Sequence, residues 1–156
     1  MNVYLDSSAA VKFFHPEDGS EVVTSIVEDT ENVTWLCELV RLEFCSAVMR
    51  RFRLGEIDED KVEKAFRSFY EYWDNFCAIP LDRVLVEEAE KLVREYGAQS
   101  NLKSLDAIHA AAFSLVCPNE CVFVTADKDL NEAVSIMGYK TFNPVLGGLA
   151  EFSDLT

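Results

Sequence analysis

The stretch CVFVTADKDLNEAVSIMG (121–138) decides how the chain is read. CVFVT is an apolar run closed by a threonine, the pattern of a short strand buried on both faces. DLNEAVSIMG then takes up helical spacing and stops at Gly138. A strand covered on both faces and followed at once by a helix belongs in a parallel sheet flanked by helices. Asp127 stands between the two elements.

The same unit recurs at the N-terminus, where NVYL (2–5) ends at Asp6 and SSAAVKFF turns helical until Pro16 and Gly19 break it. SEVVTSIVED (20–29) is a helix, VTWLC (33–37) a strand, and 38–54 a helix with a wide apolar stripe that includes Leu39, Phe44 and Val48. DEDKVEKAFRSFYEYWDNF (58–76) opens with acids, as the positive end of a helix dipole prefers, and continues as an aromatic-rich helix. CAIPL (77–81) is a strand, followed by a helix that closes near Gly97. LKSLDAIHAAAFSLV (102–116) reads as helix from end to end, and YKTF (139–142) as the last strand. Five strands separated by helices, with few hairpin signals, predict one α/β domain over 1–156 on a mostly parallel sheet.

Apolar residues at 49% and charged residues at 27% suit a folded globular domain. No apolar run approaches the roughly 20 residues of a membrane span, and Asp6 interrupts any signal-like start, so the expected compartment is the cytoplasm. The 5 cysteines are read as core thiols of a reducing compartment, with Cys117 and Cys121 close enough in sequence for a local bridge. A net charge of −14 argues against broad coating of nucleic acid. It leaves open an enzyme that reaches a phosphodiester through bound cations.

In parallel sheets, sites form beyond the carboxyl ends of strands where the topology reverses, which directs attention to Asp6 and Asp127. Either acid can be a plain helix N-cap. Asp129, with Glu132 three residues on, forms a capping-box-like pair, which leaves Asp127 without a local duty. Glu43 lies beside a buried stripe, where an ion pair with Arg50 is the structural alternative. Asp106 sits in the most apolar part of its segment, a poor place for a short charged side chain, and His109 one turn away is its structural alternative partner.

Should Asp6, Glu43, Asp106 and Asp127 meet, they would repel one another unless a cation neutralised them. Hard oxygen donors select Mg²⁺ or Mn²⁺. Such ions orient and deprotonate water for in-line attack on a phosphodiester. Ser7, Ser8 and Ser104 have no activating base near them in sequence, so an acyl-transfer triad is unsupported.

VYLDSSAAVKFFHPEDGSE, ELVRLEFCSAVMRR, LKSLDAIHAAAF and FVTADKDL, in that order over nearly the whole chain, resemble the PIN-domain family, and within it the VapC-type toxins of toxin–antitoxin modules. The resemblance implies a three-layer α/β/α, Rossmann-like fold with a five-stranded parallel sheet in order 3-2-1-4-5. It implies a metal-dependent endoribonuclease acting on structured RNA such as tRNA or rRNA. Its Mg²⁺ or Mn²⁺ would be held by Asp6, Glu43, Asp106 and Asp127, with Asp129 assisting and Ser7 and Thr125 in support. A homodimer and a cognate antitoxin are the implied partners. Where many relatives carry a basic residue, this chain has Asn101, with Lys103 two residues later. Lys12, Arg50 and Lys103 are the candidate RNA contacts, and the aromatics of 66–76 a candidate subunit or antitoxin surface. Two other readings stay open. One is a haloacid-dehalogenase-like phosphohydrolase, which usually has an aspartate where Ser8 stands; the other is a PIN-like interaction domain without catalysis.

Overall fold

A computed structural model describes residues 1–116 and 121–155. The order is β1 (Asn2–Leu5), α1 (Ser7–Phe14), α2 (Ser20–Glu28), β2 (Val33–Cys37), α3 (Leu39–Arg53) and α4 (Glu59–Tyr72). Then come β3 (Cys77–Ile79), α5 (Arg83–Tyr96), α6 (Ser104–Val116), β4 (Cys121–Val124), α7 (Lys128–Ile136), β5 (Thr141–Phe142) and α8 (Leu149–Ser153). The five strands form one sheet in order 3-2-1-4-5, every pair parallel, as expected.

Alternation along the central strands builds a core on each face of the sheet. Val3 and Leu5 of β1 join Val122 and Val124 of β4 in a core covered by α1 to α4 and α8. Tyr4 and Phe123 point the other way, into a core covered by α5, α6 and α7. Tyr4 stacks on Phe123 at 5.2 Å, and Phe113 of α6 meets both rings edge-on. On the first face Phe44 of α3 stacks on Phe69 of α4 at 4.1 Å. Such pairs each add about 1 kcal/mol beyond the area they bury.

Several boundaries differ from the sequence reading. The helix expected over 58–76 ends at Tyr72 and passes through a 3₁₀ turn, Trp73–Asn75, before β3. β3 stops at Ile79 because Pro80 has no N–H for the ladder. The aromatics expected on a free surface are mostly absorbed: Phe69 is fully buried and Tyr72 and Trp73 pack against the core, leaving Tyr70 exposed. α6 begins at Ser104, not Leu102, whose side chain is buried instead. The proposed bridge between Cys117 and Cys121 involves Cys117, outside the described residues. Among those residues, no helix is long and apolar enough to cross a membrane.

Candidate functional site

β1 and β4 lie side by side and parallel at the centre of the sheet, so the residues that follow them meet at its carboxyl end. Asp6 caps α1, its Oδ1 accepting from the Ala9 N–H at 2.9 Å. Ser8 Oγ donates to the same carboxylate, and Thr125 Oγ1 donates to Oδ2 at 2.7 Å. Both hydroxyls also accept backbone protons from the loop after β4: Ser8 from Ala126 N–H at 2.9 Å, Thr125 from Asp127 N–H at 3.0 Å. Asp6 is 3% exposed. Burial pushes its carboxyl above the usual range, against the His109 charge and the hydrogen bonds from Thr125, Ala9 and Ser8.

Glu43 projects from α3 toward α6. His109 Nε2 lies 2.8 Å from Glu43 Oε2, and Ser7 Oγ donates to that same oxygen. The other ring nitrogen of His109, Nδ1, is 2.9 Å from Tyr4 Oη. When Tyr4 donates to Nδ1, Nε2 carries the proton and donates to Glu43. Burial pushes the Glu43 carboxyl up, but the hydrogen bond and charge of His109, with Ser7, outweigh it and hold the group below the usual range. Two structural alternatives are thereby corrected. Glu43 pairs with His109 and Ser7, while Arg50 is exposed. His109 is engaged by Tyr4 and Glu43, and no hydrogen bond links it to Asp106.

Because α6 starts at Ser104, Asp106 lies in its first turn, where the helix dipole favours an acid. Its Oδ2 accepts weakly from Lys103 N–H at 3.4 Å. The sequence placed it mid-helix; the later start removes that anomaly. Partial burial pushes its carboxyl above the usual range, and the charge of Asp127 adds to the rise against the Lys103 N–H.

Asp127 is the N-cap of α7, accepting from Asp129 N–H at 2.8 Å and Leu130 N–H at 3.1 Å. The capping duty assigned to Asp129 from sequence therefore belongs to Asp127. Asp129 turns outward, accepting from Asn101 Nδ2 at 2.6 Å and pairing with Lys103 Nζ at 3.7 Å. The turn between β4 and α7 is three residues, 125–127, and the cap falls to Asp127, which directly precedes the helix, while Asp129 is already inside it.

An open cleft of about 410 Å³ is lined by Ser7, Ser8, Lys12, Glu17, Glu43 and Asp127, among others. Asp6 lies behind it, joined to Asp127 through Thr125, and Asp106 is close enough to sense the Asp127 charge. Among the described residues, no three His, Cys, Asp or Glu side chains converge tightly enough to cage a metal ion. The donor set is all oxygen, and Asp106 and Asp127 repel each other. That combination fits a hard, water-rich cation held by one or two carboxylates, the way Mg²⁺ is commonly bound.

Sequence reading missed the roles of Tyr4 and Ser8 and gave His109 the wrong partner. Ser8 carried a signal, since the DSS triplet sets two hydroxyls beside a capping acid. Tyr4 and His109 are 105 positions apart and carried none.

A model of the PIN domain matches residues 3–134. No curated protein matches the chain. Among solved structures, FitAcB from Neisseria gonorrhoeae is similar with a TM-score of 0.66 at 16% identity, covering 91% of this chain and 97% of its own. VapC20 from Mycobacterium tuberculosis, a sarcin-ricin loop cleaving toxin, gives a TM-score of 0.65 at 13% identity, with 88% and 95% covered. VapBC2 from Rickettsia felis, bound to a promoter DNA fragment, gives 0.63 at 14% identity, with 92% and 98% covered. At these identities the likeness is one of fold, and the family rests on the domain match over most of the chain: this protein belongs to the PIN domain family.

Proposed function

We propose that the chain is a Mg²⁺- or Mn²⁺-dependent endoribonuclease and the toxin of a toxin–antitoxin pair acting in the cytoplasm. The observation that carries this reading is geometric: Glu43 and Asp127 line one cleft and Thr125 joins Asp127 to the buried Asp6, with Asp106 near enough for the charge of Asp127 to act on it. Acids this close favour a cation between them and the substrate phosphate. Asp6, Glu43, Asp106 and Asp127 are the residues that would hold the ion, and Asp129 anchors Lys103. The bound ion would lower the pKa of its water and neutralise charge on the phosphate. Ser7 and Thr125 hold the Glu43 and Asp6 carboxylates in place.

Structured RNA such as tRNA or rRNA is the proposed substrate, in keeping with the fold shared with a sarcin-ricin loop cleaving toxin. An antitoxin is the proposed partner, in keeping with the fold shared with a toxin–antitoxin complex from Klebsiella pneumoniae, TM-score 0.61 at 17% identity. An apolar cleft of about 890 Å³ beside the acidic one, lined by Phe13, Phe14, Phe44, Val48 and Ile57, suits a segment of such a partner. A homodimer is proposed through the exposed Leu42, Met49 and Tyr70.

The test is cleavage of an end-labelled structured RNA. Mg²⁺ or Mn²⁺ supports cleavage, EDTA stops it, and Asp6→Asn abolishes it; cleavage that persists in EDTA overturns the reading. The non-catalytic alternative draws on the absence of a tight three-residue cage among the described residues, and wild-type protein inert with both metals would favour it. The dehalogenase-like alternative is weakened because Ser8 supplies a hydroxyl to Asp6 where that chemistry wants a second carboxylate.

A further inference from the structure

Glu17, on the turn between α1 and α2, holds two cations at once. Lys12 Nζ donates to its Oε1 at 2.9 Å and Arg51 Nη2 to its Oε2 at 2.6 Å. The two cations therefore form a fork around a single carboxylate. Lys12 is 8% exposed, and its side chain lines the acidic cleft together with Glu17, Glu43 and Asp127.

The turn that presents Glu17 is pinned. Ser20 Oγ accepts from Glu17 N–H at 2.8 Å and donates to the His15 carbonyl at 3.0 Å. Gly19 adopts φ +86° and approaches Pro144 so closely that a Cβ there would lie 2.7 Å from its carbonyl oxygen. Backbone motion is thus restrained, while the Glu17 side chain is 29% exposed and open to an incoming anion.

A phosphodiester carries one negative charge over two non-bridging oxygens, spread much as in a carboxylate. An arginine fork and a lysine point charge are the usual recognition elements for it. The Glu17–Arg51 pair is partly exposed and contributes little net stability, so exchanging its anion for another costs little. A buried ammonium without any anion is costly. The fork is therefore built to swap its anion and not to stand empty.

We propose that the Lys12–Arg51 fork is a phosphate subsite for the polynucleotide backbone and that Glu17 is its resident stand-in, displaced when the strand enters. This deepens the nuclease reading and rests on it for the identity of the polymer. The alternative is a fixed structural ion pair.

The test measures binding without chemistry. Fluorescence anisotropy follows a labelled short single-stranded oligodeoxynucleotide titrated with the full chain in EDTA. Glu17→Gln binds about tenfold tighter than wild type, a change of about 1.4 kcal/mol, with a steeper salt dependence. Adding Arg51→Gln to it removes the gain. Should Glu17→Gln not fold, Arg51→Gln alone, which keeps the Lys12–Glu17 pair, weakens binding about threefold. Folded Glu17→Gln that binds no tighter than wild type, or Arg51→Gln that binds as well as wild type, overturns the proposal. If binding follows the expected pattern but no variant or wild type cleaves RNA with metal, the subsite stands and the nuclease reading fails.

Discussion

Thr125 Oγ1 donates to Asp6 Oδ2 at 2.7 Å while accepting from Asp127 N–H at 3.0 Å, so one buried hydroxyl joins the acids that follow β1 and β4. Neither strand alone makes this contact. It arises because β1 and β4 are neighbours in register, Leu5 opposite Val124, and each runs straight into its helix cap.

Replacing Thr125 by Val keeps the shape and removes both hydrogen bonds. Asp6 loses a donor and Asp127 N–H loses its acceptor, at a cost of about 2 kcal/mol in stability. Thr125→Ser restores most of it. Urea unfolding measures both, and a Val variant as stable as wild type would show that the hydroxyl is dispensable.

His109→Gln separates Tyr4 from Glu43 and leaves a buried phenol short of its partner, for an expected loss of about 2–3 kcal/mol; Tyr4→Phe, which removes only one contact, loses about 1 kcal/mol. The pH dependence has a definite sign. Glu43 is held below its ordinary value in the folded state, so its contribution is present above the unfolded pKa and is lost as pH falls through the folded one. Thermal melts from neutral to strongly acidic pH should therefore show a smaller acid loss in His109→Gln than in wild type.

Asp106→Asn is expected to eliminate RNA cleavage by about a hundredfold or more while leaving the fold intact. Asp106 is raised above its ordinary value, so the folded state binds the proton more tightly than the unfolded chain. Stability therefore falls as pH climbs from the unfolded to the folded pKa. The Asn variant lacks that fall, and its melting temperature at neutral pH should equal or exceed that of wild type. Mn²⁺ should raise the melting temperature of wild type and not of the variant.

Asp127 has two jobs that substitution separates. Asp127→Asn keeps a good N-cap for α7 and should fold normally yet cleave no RNA, whereas Asp127→Ala also loses about 1 kcal/mol of stability. Circular dichroism melts paired with the cleavage assay check both arms. Full activity in the Asn variant would remove Asp127 from the chemistry.

The basic residues illustrate how far sequence alone reached. Lys12, Arg50 and Lys103 were the candidate RNA contacts; Lys12 is buried against Glu17, Lys103 pairs with Asp129, and Arg50 is exposed. It is Arg51, the next residue on α3, that turns toward Lys12. Adjacent positions on a helix point about 100° apart, and only the packing of α3 against α1 selects which one reaches Glu17.

Sequence by itself determined the elements and the layering, because the period of apolar residues and the placing of Gly, Pro and acids are local properties of the chain. It also singled out Asp6 and Asp127, since an acid at the end of a buried strand is visible without any partner. Only the tertiary structure decided which acid caps α7, that Asp106 opens its helix, and that Tyr4, His109, Glu43 and Ser7 form one buried network. The last of these depends on the docking of α3 and α6 at the carboxyl end of the sheet, and its hydrogen bonds join residues up to 105 positions apart, a separation at which no local pattern records the pairing.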